Sequence, residues 1–168
     1  MLTRIISGGQ TGADQAGLDA AIACGLEHGG WIPRGRRTEN GKLPKRYLLR
    51  ETDDTGYPER TRKNVLAADG TVVFTRGKPS GGSALTLAIA RKLRRPALHI
   101  DLARCDRLAA AVTLYEWLLE NRIKTLNVAG RRESKAPGIH GEVYNIITIT
   151  VEALQGKRAL TLFSATPD

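Results

Sequence analysis

The chain has little cysteine, few aromatic residues and no long apolar run, and each shortage removes a class of protein. Cys24 and Cys105 are its only thiols and form no CxxC pair. That excludes a disulfide framework and a cysteine-built metal site. His28, His99 and His140 lack metal-ligand spacing. Cys24 and His28 lie four residues apart, but the helical pattern ends near Gly25, so they read as a buried thiol and a capping imidazole, and no structural metal is expected. No run reaches the roughly 18 apolar residues of a membrane span, and no signal-peptide pattern opens the sequence. The expectation is therefore a cytoplasmic protein without a membrane partner. Two Trp, four Tyr and two Phe are scattered along the chain, which leaves no stacking platform for single-stranded nucleic acid.

Positive charge is plentiful. Lys and Arg number 26 against 17 acids, giving a net charge of +9 and a pI near 10.0. This favours an anionic partner. With so few aromatics, nucleic acid ranks below a phosphorylated small molecule. At 168 residues the chain suits one domain.

Short β-rich runs alternate with helical patterns. Ile5–Ser7, Thr71–Thr75, Ala97–Ile100 and Thr125–Val128 read as buried strands, with Trp31–Ile32 a fifth. Leu85, Ala88, Ile89 and Leu93 recur at helical spacing, as do Leu108, Ala111, Val112, Tyr115, Leu118 and Leu119. Val143, Ile147, Val151 and Leu154 share a helical face, although Ile146–Val151 is rich in β-branched residues that disfavour helix. The alternation predicts an α/β domain over residues 1–155: a Rossmann-like, open, mostly parallel sheet with helices on both faces. Residues 33–58, with three prolines and three glycines, read as a long functional loop. Residues 156–168 read as a C-terminal tail in which Leu160–Phe163 could dock.

In such a sheet, ligands sit beyond the carboxyl ends of the strands. Three proposed strands end there in glycine-bearing turns: Ser7-Gly8-Gly9-Gln10-Thr11-Gly12, Gly77 through Ser80-Gly81-Gly82-Ser83, and Gly130-Arg131-Arg132-Glu133-Ser134. Without Cβ atoms the backbone can approach a ligand closely, and the next helix offers unpaired N–H groups to an anion. Neither GxGxxG nor GxxxxGK[ST] is met in full. Arg34, Arg36 and Arg37, Arg60 and Arg62, and Arg131 and Arg132 recur near the same end of the sheet, and guanidinium forks suit phosphate geometry. Asp14 would repel a phosphate, so it is expected at a helix start or against a ligand hydroxyl or amino group. Ser7, Ser83 and Ser134 have no placed base, so none is proposed as a nucleophile. Glu133 is the remaining acid/base candidate beside Asp14, and its competing role is an ion pair with Arg131 or Arg132.

The motifs SGGQTGAD (7–14), HGGWIPRGRR (28–37), ERTRKNV (59–65), DGTVVFTRG (69–77), SGGSALT (80–86) and LNVAGRRES with PGI (126–139) resemble the molybdenum cofactor carrier-like family. That family is related to the lysine-decarboxylase-like phosphoribohydrolases. The resemblance spans about residues 5–155. It implies a Rossmann-like fold, a homo-oligomer (dimer or tetramer), and binding of molybdenum cofactor (molybdopterin) or a related nucleotide-type ligand. Gly8, Gly9, Gln10, Thr11, Gly12, Asp14, Arg34, Arg36, Arg60, Asn64, Gly77, Ser80, Gly81, Gly82, Ser83, Arg132, Glu133 and Ser134 are the expected ligand- or phosphate-binding residues. The related hydrolases carry PGGxGTxxE, whose glutamate assists cleavage of an N-glycosidic bond. Gly81-Gly82-Ser83-Ala84-Leu85-Thr86-Leu87-Ala88 has no carboxylate. The expectation is thus a binding or carrier protein rather than an enzyme, with nucleotide hydrolysis as the alternative.

Overall fold

The computed structural model describes residues 1–160. In chain order its strands are β1 (Arg4–Ser7), β2 (Glu27–Gly29), β3 (Trp31–Ile32), β4 (Arg37–Thr38), β5 (Gly41–Lys42), β6 (Arg50–Glu51), β7 (Gly70–Thr75), β8 (Ala97–Asp101) and β9 (Thr125–Gly130). The helices are α1 (Ala13–Ala23), α2 (Tyr57–Ala67), α3 (Gly82–Lys92), α4 (Arg107–Glu120) and α5 (Ile139–Leu154). The central sheet has five parallel strands in the order β2-β1-β9-β7-β8. Residues 161–168, most of the expected tail and of its docking segment, lie outside the described residues.

The last strand, β9, lies between β1 and β7, so the three glycine-bearing turns leave adjacent strands at one end of the sheet. From β1 the chain passes to β2 on one side, and from β7 to β8 on the other. The crevice between such diverging connections is where an open α/β sheet accepts ligands.

Side-chain alternation makes the two faces of the sheet unlike. Ile5, Val72, Phe74, Leu126 and Val128 join the main apolar core with α1, α4 and α5. In the intervening positions β7 and β9 carry Thr71, Thr75 and Asn127, all buried and polar. α2 and α3 cover that second face. Helix α1 is built of small residues, and a Cβ at Gly17 would lie 2.7 Å from Val128 Cβ. This close approach carries the Gly8–Asp14 turn over the end of the sheet.

Three elements differ from the sequence reading. The fifth strand of the main sheet is β2, Glu27–Gly29, an edge segment with no apolar pattern to announce it. Trp31–Ile32 is a strand, but it pairs with β6 in a separate two-stranded sheet. Residues 33–58 also hold the β4–β5 hairpin, and Leu43, Tyr47 and Leu49 form a second apolar cluster with Leu18 and Ile32. Helix α5 forms despite its β-branched run because Val143, Ile146, Ile147 and Val151 are buried in the main core. Burying each such side chain contributes about 1.5–3 kcal/mol, against a few tenths for propensity.

Candidate functional site

A cavity of about 630 Å³ opens between α2, α3, the turn after β1 and the carboxyl end of β9. This volume is in the range of small-molecule sites. Its outer end is formed by the Ser80–Ser83 turn with Arg131, Arg132 and Lys135, and its inner wall by Asn127 and Ala129 on the polar face of the sheet. Gly81 and Gly82 are exposed, whereas Asn127 is 2% exposed.

Gly81, whose φ is +54°, is the N-cap of helix α3, and no side chain caps the helix. A Cβ on Gly82 would meet nothing within 4 Å, so this turn faces open space. The Ser83 N–H donates to the Ser80 carbonyl at 3.2 Å, and the remaining N–H groups of this turn and the positive end of the helix dipole lie at the cavity beside cationic side chains.

The first turn is used differently. Asp14 Oδ2 accepts from Arg60 Nη1 at 3.1 Å and from the Gln10 N–H at 3.3 Å. The ion pair is buried, with the two side chains 8% and 12% exposed. Arg60 lies against Gly8, where a Cβ would overlap its guanidinium. Burial pushes the Asp14 carboxyl above the usual carboxylate range, and the partial opposition of Arg60 and the Gln10 amide does not cancel it. The α1 amides are partly spent inside the fold: the Ala13 N–H donates to Arg131 O and the Gln15 N–H to Gln10 O.

Asn64 is also committed, accepting from the Trp31 N–H at 2.8 Å and donating to the Trp31 carbonyl at 2.9 Å. Asn127 Nδ2 donates to Thr71 Oγ1 at 3.2 Å. Among the described residues, Gln10 Nε2, Arg60 Nε and Asn127 Oδ1 are buried without a hydrogen-bond partner, and all three residues line this cavity. Leaving such an atom unsatisfied costs about 1–3 kcal/mol, so three in one cavity call for a polar guest.

The cavity unites ten of the eighteen expected ligand-binding residues, Gly8, Gln10, Asp14, Arg60, Asn64, Ser80, Gly81, Gly82, Ser83 and Arg132, together with Gly130 and Arg131. The others do not line it. Gly9 (φ +73°) packs on the second cluster, where a Cβ would lie 2.8 Å from Leu43 Cδ2. Gly12 touches the backbone of the β9 turn, with a Cβ position 2.8 Å from Glu133 N. Gly77 N–H donates to Asp101. Arg34 is exposed on the loop after β3. Arg36 spends its guanidinium on the carbonyls of Leu43, Pro44, Tyr47 and Leu49. Glu133 accepts from the N–H groups of Gly138 and His140 and so caps α5, in place of either role expected for it.

Thr11 and Ser134 converge on Glu39, a residue the sequence reading overlooked. Thr11 Oγ1 donates to Glu39, as do the Ser134 N–H at 3.1 Å and hydroxyl, while the Glu39 N–H donates to Gln10 Oε1 at 3.0 Å. Arg132 Nη1 stands 3.9 Å from the carboxylate. Burial pushes the Glu39 carboxyl up, but the Ser134 and Thr11 hydrogen bonds outweigh it and leave the value below normal. Glu39 thereby ties the 33–58 segment to the turns after β1 and β9. Nothing in its sequence neighbourhood, Thr38-Glu39-Asn40, marks that role. Asn127 was also passed over, and its signal was an amide within an otherwise apolar strand.

Residues 5–151 match the model of a family described as "Circularly permutated YpsA SLOG family". A crystal structure titled "Putative molybdenum carrier protein", from Syntrophus aciditrophicus SB, superposes with a TM-score of 0.87 at 44% identity, covering 89% of this chain and 94% of the other. No curated protein matches. The placement of the final strand at the centre of the sheet fits a permuted order of elements, and the chain belongs to the circularly permutated YpsA SLOG family.

Proposed function

We propose that the protein binds and carries a phosphorylated small molecule of pterin or nucleotide type, with molybdenum cofactor the first candidate. The observation that carries this reading is the cavity itself, where the uncapped α3 N-terminus and Arg131, Arg132 and Lys135 meet unpartnered polar atoms. The structural relative, named "Putative molybdenum carrier protein", supports a carrier role. Among the described residues no group of three or more His, Cys, Asp or Glu could hold a metal ion. The α3 N-terminus with Arg131, Arg132 and Lys135 would grip the phosphate part of the cargo. Native mass spectrometry and ultraviolet absorption of freshly purified protein should detect a co-purifying phosphorylated heterocycle. Ligand-free protein that is not stabilised against heat by any molybdopterin or nucleotide would overturn the reading.

A second reading, hydrolysis of a nucleoside monophosphate, draws support from Asp14. The hydrolase glutamate has no counterpart after Gly82, but in SGGQTGAD a carboxylate follows the paired glycines one residue earlier than in PGGxGTxxE. Its raised pKa suits proton transfer. Asp14 is nevertheless tied to Arg60, and binding without turnover is the expected outcome. Prolonged incubation with AMP, GMP, CMP or UMP should release no appreciable free base. Release that disappears in Asp14→Asn, with binding intact, would make the protein an enzyme and Asp14 its catalyst.

A further inference from the structure

The cavity is polarised along its depth, and the polarity dictates which end of a ligand enters first. At the outer end stand the α3 amides and the cations Arg131 and Lys135. Asn127 lies lower on β9, about 10 Å along the strand from Gly130 at ~3.3 Å per residue. Between them, Asp14 and Arg60 pair and cancel each other's charge. A phosphate pushed past this pair would leave the cations behind, lose water, and lie beside a carboxylate. The inner end is therefore suited to an uncharged polar group. Its unpartnered atom is an acceptor, Asn127 Oδ1.

Resting on the reading of the cavity as a site for a phosphorylated ligand, we propose that the ligand enters heterocycle first: an amino or ring N–H group donates to Asn127 Oδ1, and the phosphate stays at the α3 N-terminus. Asn127 is then the specificity-determining residue of the site. It tells a ring that carries a donor from one that does not, because only the former satisfies the buried carbonyl.

Calorimetric titration of the whole chain with AMP, GMP, purine riboside 5′-monophosphate (which lacks both the exocyclic amine and a ring N–H) and ribose 5-phosphate tests this. AMP or GMP should bind about tenfold more tightly than purine riboside 5′-monophosphate, the equivalent of one good hydrogen bond. Asn127→Leu should erase that gap while leaving the affinity for ribose 5-phosphate unchanged. The wild-type comparison stands even if the variant does not fold. A wild-type protein without the gap, a gap that survives Asn127→Leu, or an equal loss for ribose 5-phosphate would each overturn the proposal. If none of the four compounds binds, the phosphate-ligand reading falls and takes this proposal with it. If ribose 5-phosphate binds as tightly as the nucleotides, the phosphate site stands and only the orientation falls.

Discussion

Glycines of similar appearance in the sequence face different surroundings. Gly82 looks into open cavity, whereas Gly9 has a positive φ and is walled by Leu43, Leu49 and Ile32. Gly82→Val should therefore leave the melting temperature nearly unchanged and abolish binding of a phosphorylated ligand, as thermal melts and titration would show. Gly9→Val should instead destabilise the 33–58 segment, because the added side chain must displace the second apolar cluster. Binding that survives Gly82→Val would remove the α3 turn from the site. Glu39 permits a pH test. Its carboxyl titrates below its ordinary value of 4.5, so its contribution to stability is present above that value and lost as the pH falls through the depressed one. Glu39→Gln should cost on the order of 1 kcal/mol at neutral pH in denaturant unfolding. The difference from wild type should close in acid, and a pH-independent difference would contradict the assignment.

At the scale of elements, the 33–58 segment is held by polar contacts as much as by its small apolar cluster. Arg36 gathers four carbonyls at 2.9–3.2 Å from a left-handed backbone conformation with φ +56°. Removing the guanidinium leaves those carbonyls short of a donor, and Arg36→Met should cost about 2 kcal/mol. Limited proteolysis should then cut between residues 37 and 48 while β7, β8 and β9 stay protected. Cleavage no faster than in wild type would show that the β4–β5 hairpin and Leu43, Tyr47 and Leu49 suffice. Apolar periodicity marks α3, α4 and α5 in the sequence. The 33–58 segment reads as an irregular loop because a lone arginine bonding to carbonyls has no period.

For the molecule as a whole, charge and shape pull in different directions. Net charge of +9 favours solubility as separate copies, yet the α2–α3 layer leaves Leu66 exposed and Leu87, Ile89 and Leu93 half-buried outside the cavity. We expect self-association through that layer, and sedimentation at micromolar concentration should give a dimer or larger species. A clean monomer would refute it. Among the described residues no helix is long and apolar enough to cross a membrane.

The sequence alone determined the α/β class, four of the five central strands and the glycine-bearing turns at their ends, because these depend on local periodicity and on backbone freedom that only glycine has. It also placed Asp14, Arg60 and the Ser80–Ser83 turn together, since strand ends in a parallel sheet share one side. Tertiary structure alone decided which turn stays open and which is filled. Arg60 covers Gly8, Glu39 reaches Thr11 and Ser134 from a distant segment, and Glu133 turns to the start of α5. These are contacts between residues far apart in the chain, set by which side chain reaches a buried partner first at least cost, and no local pattern encodes them.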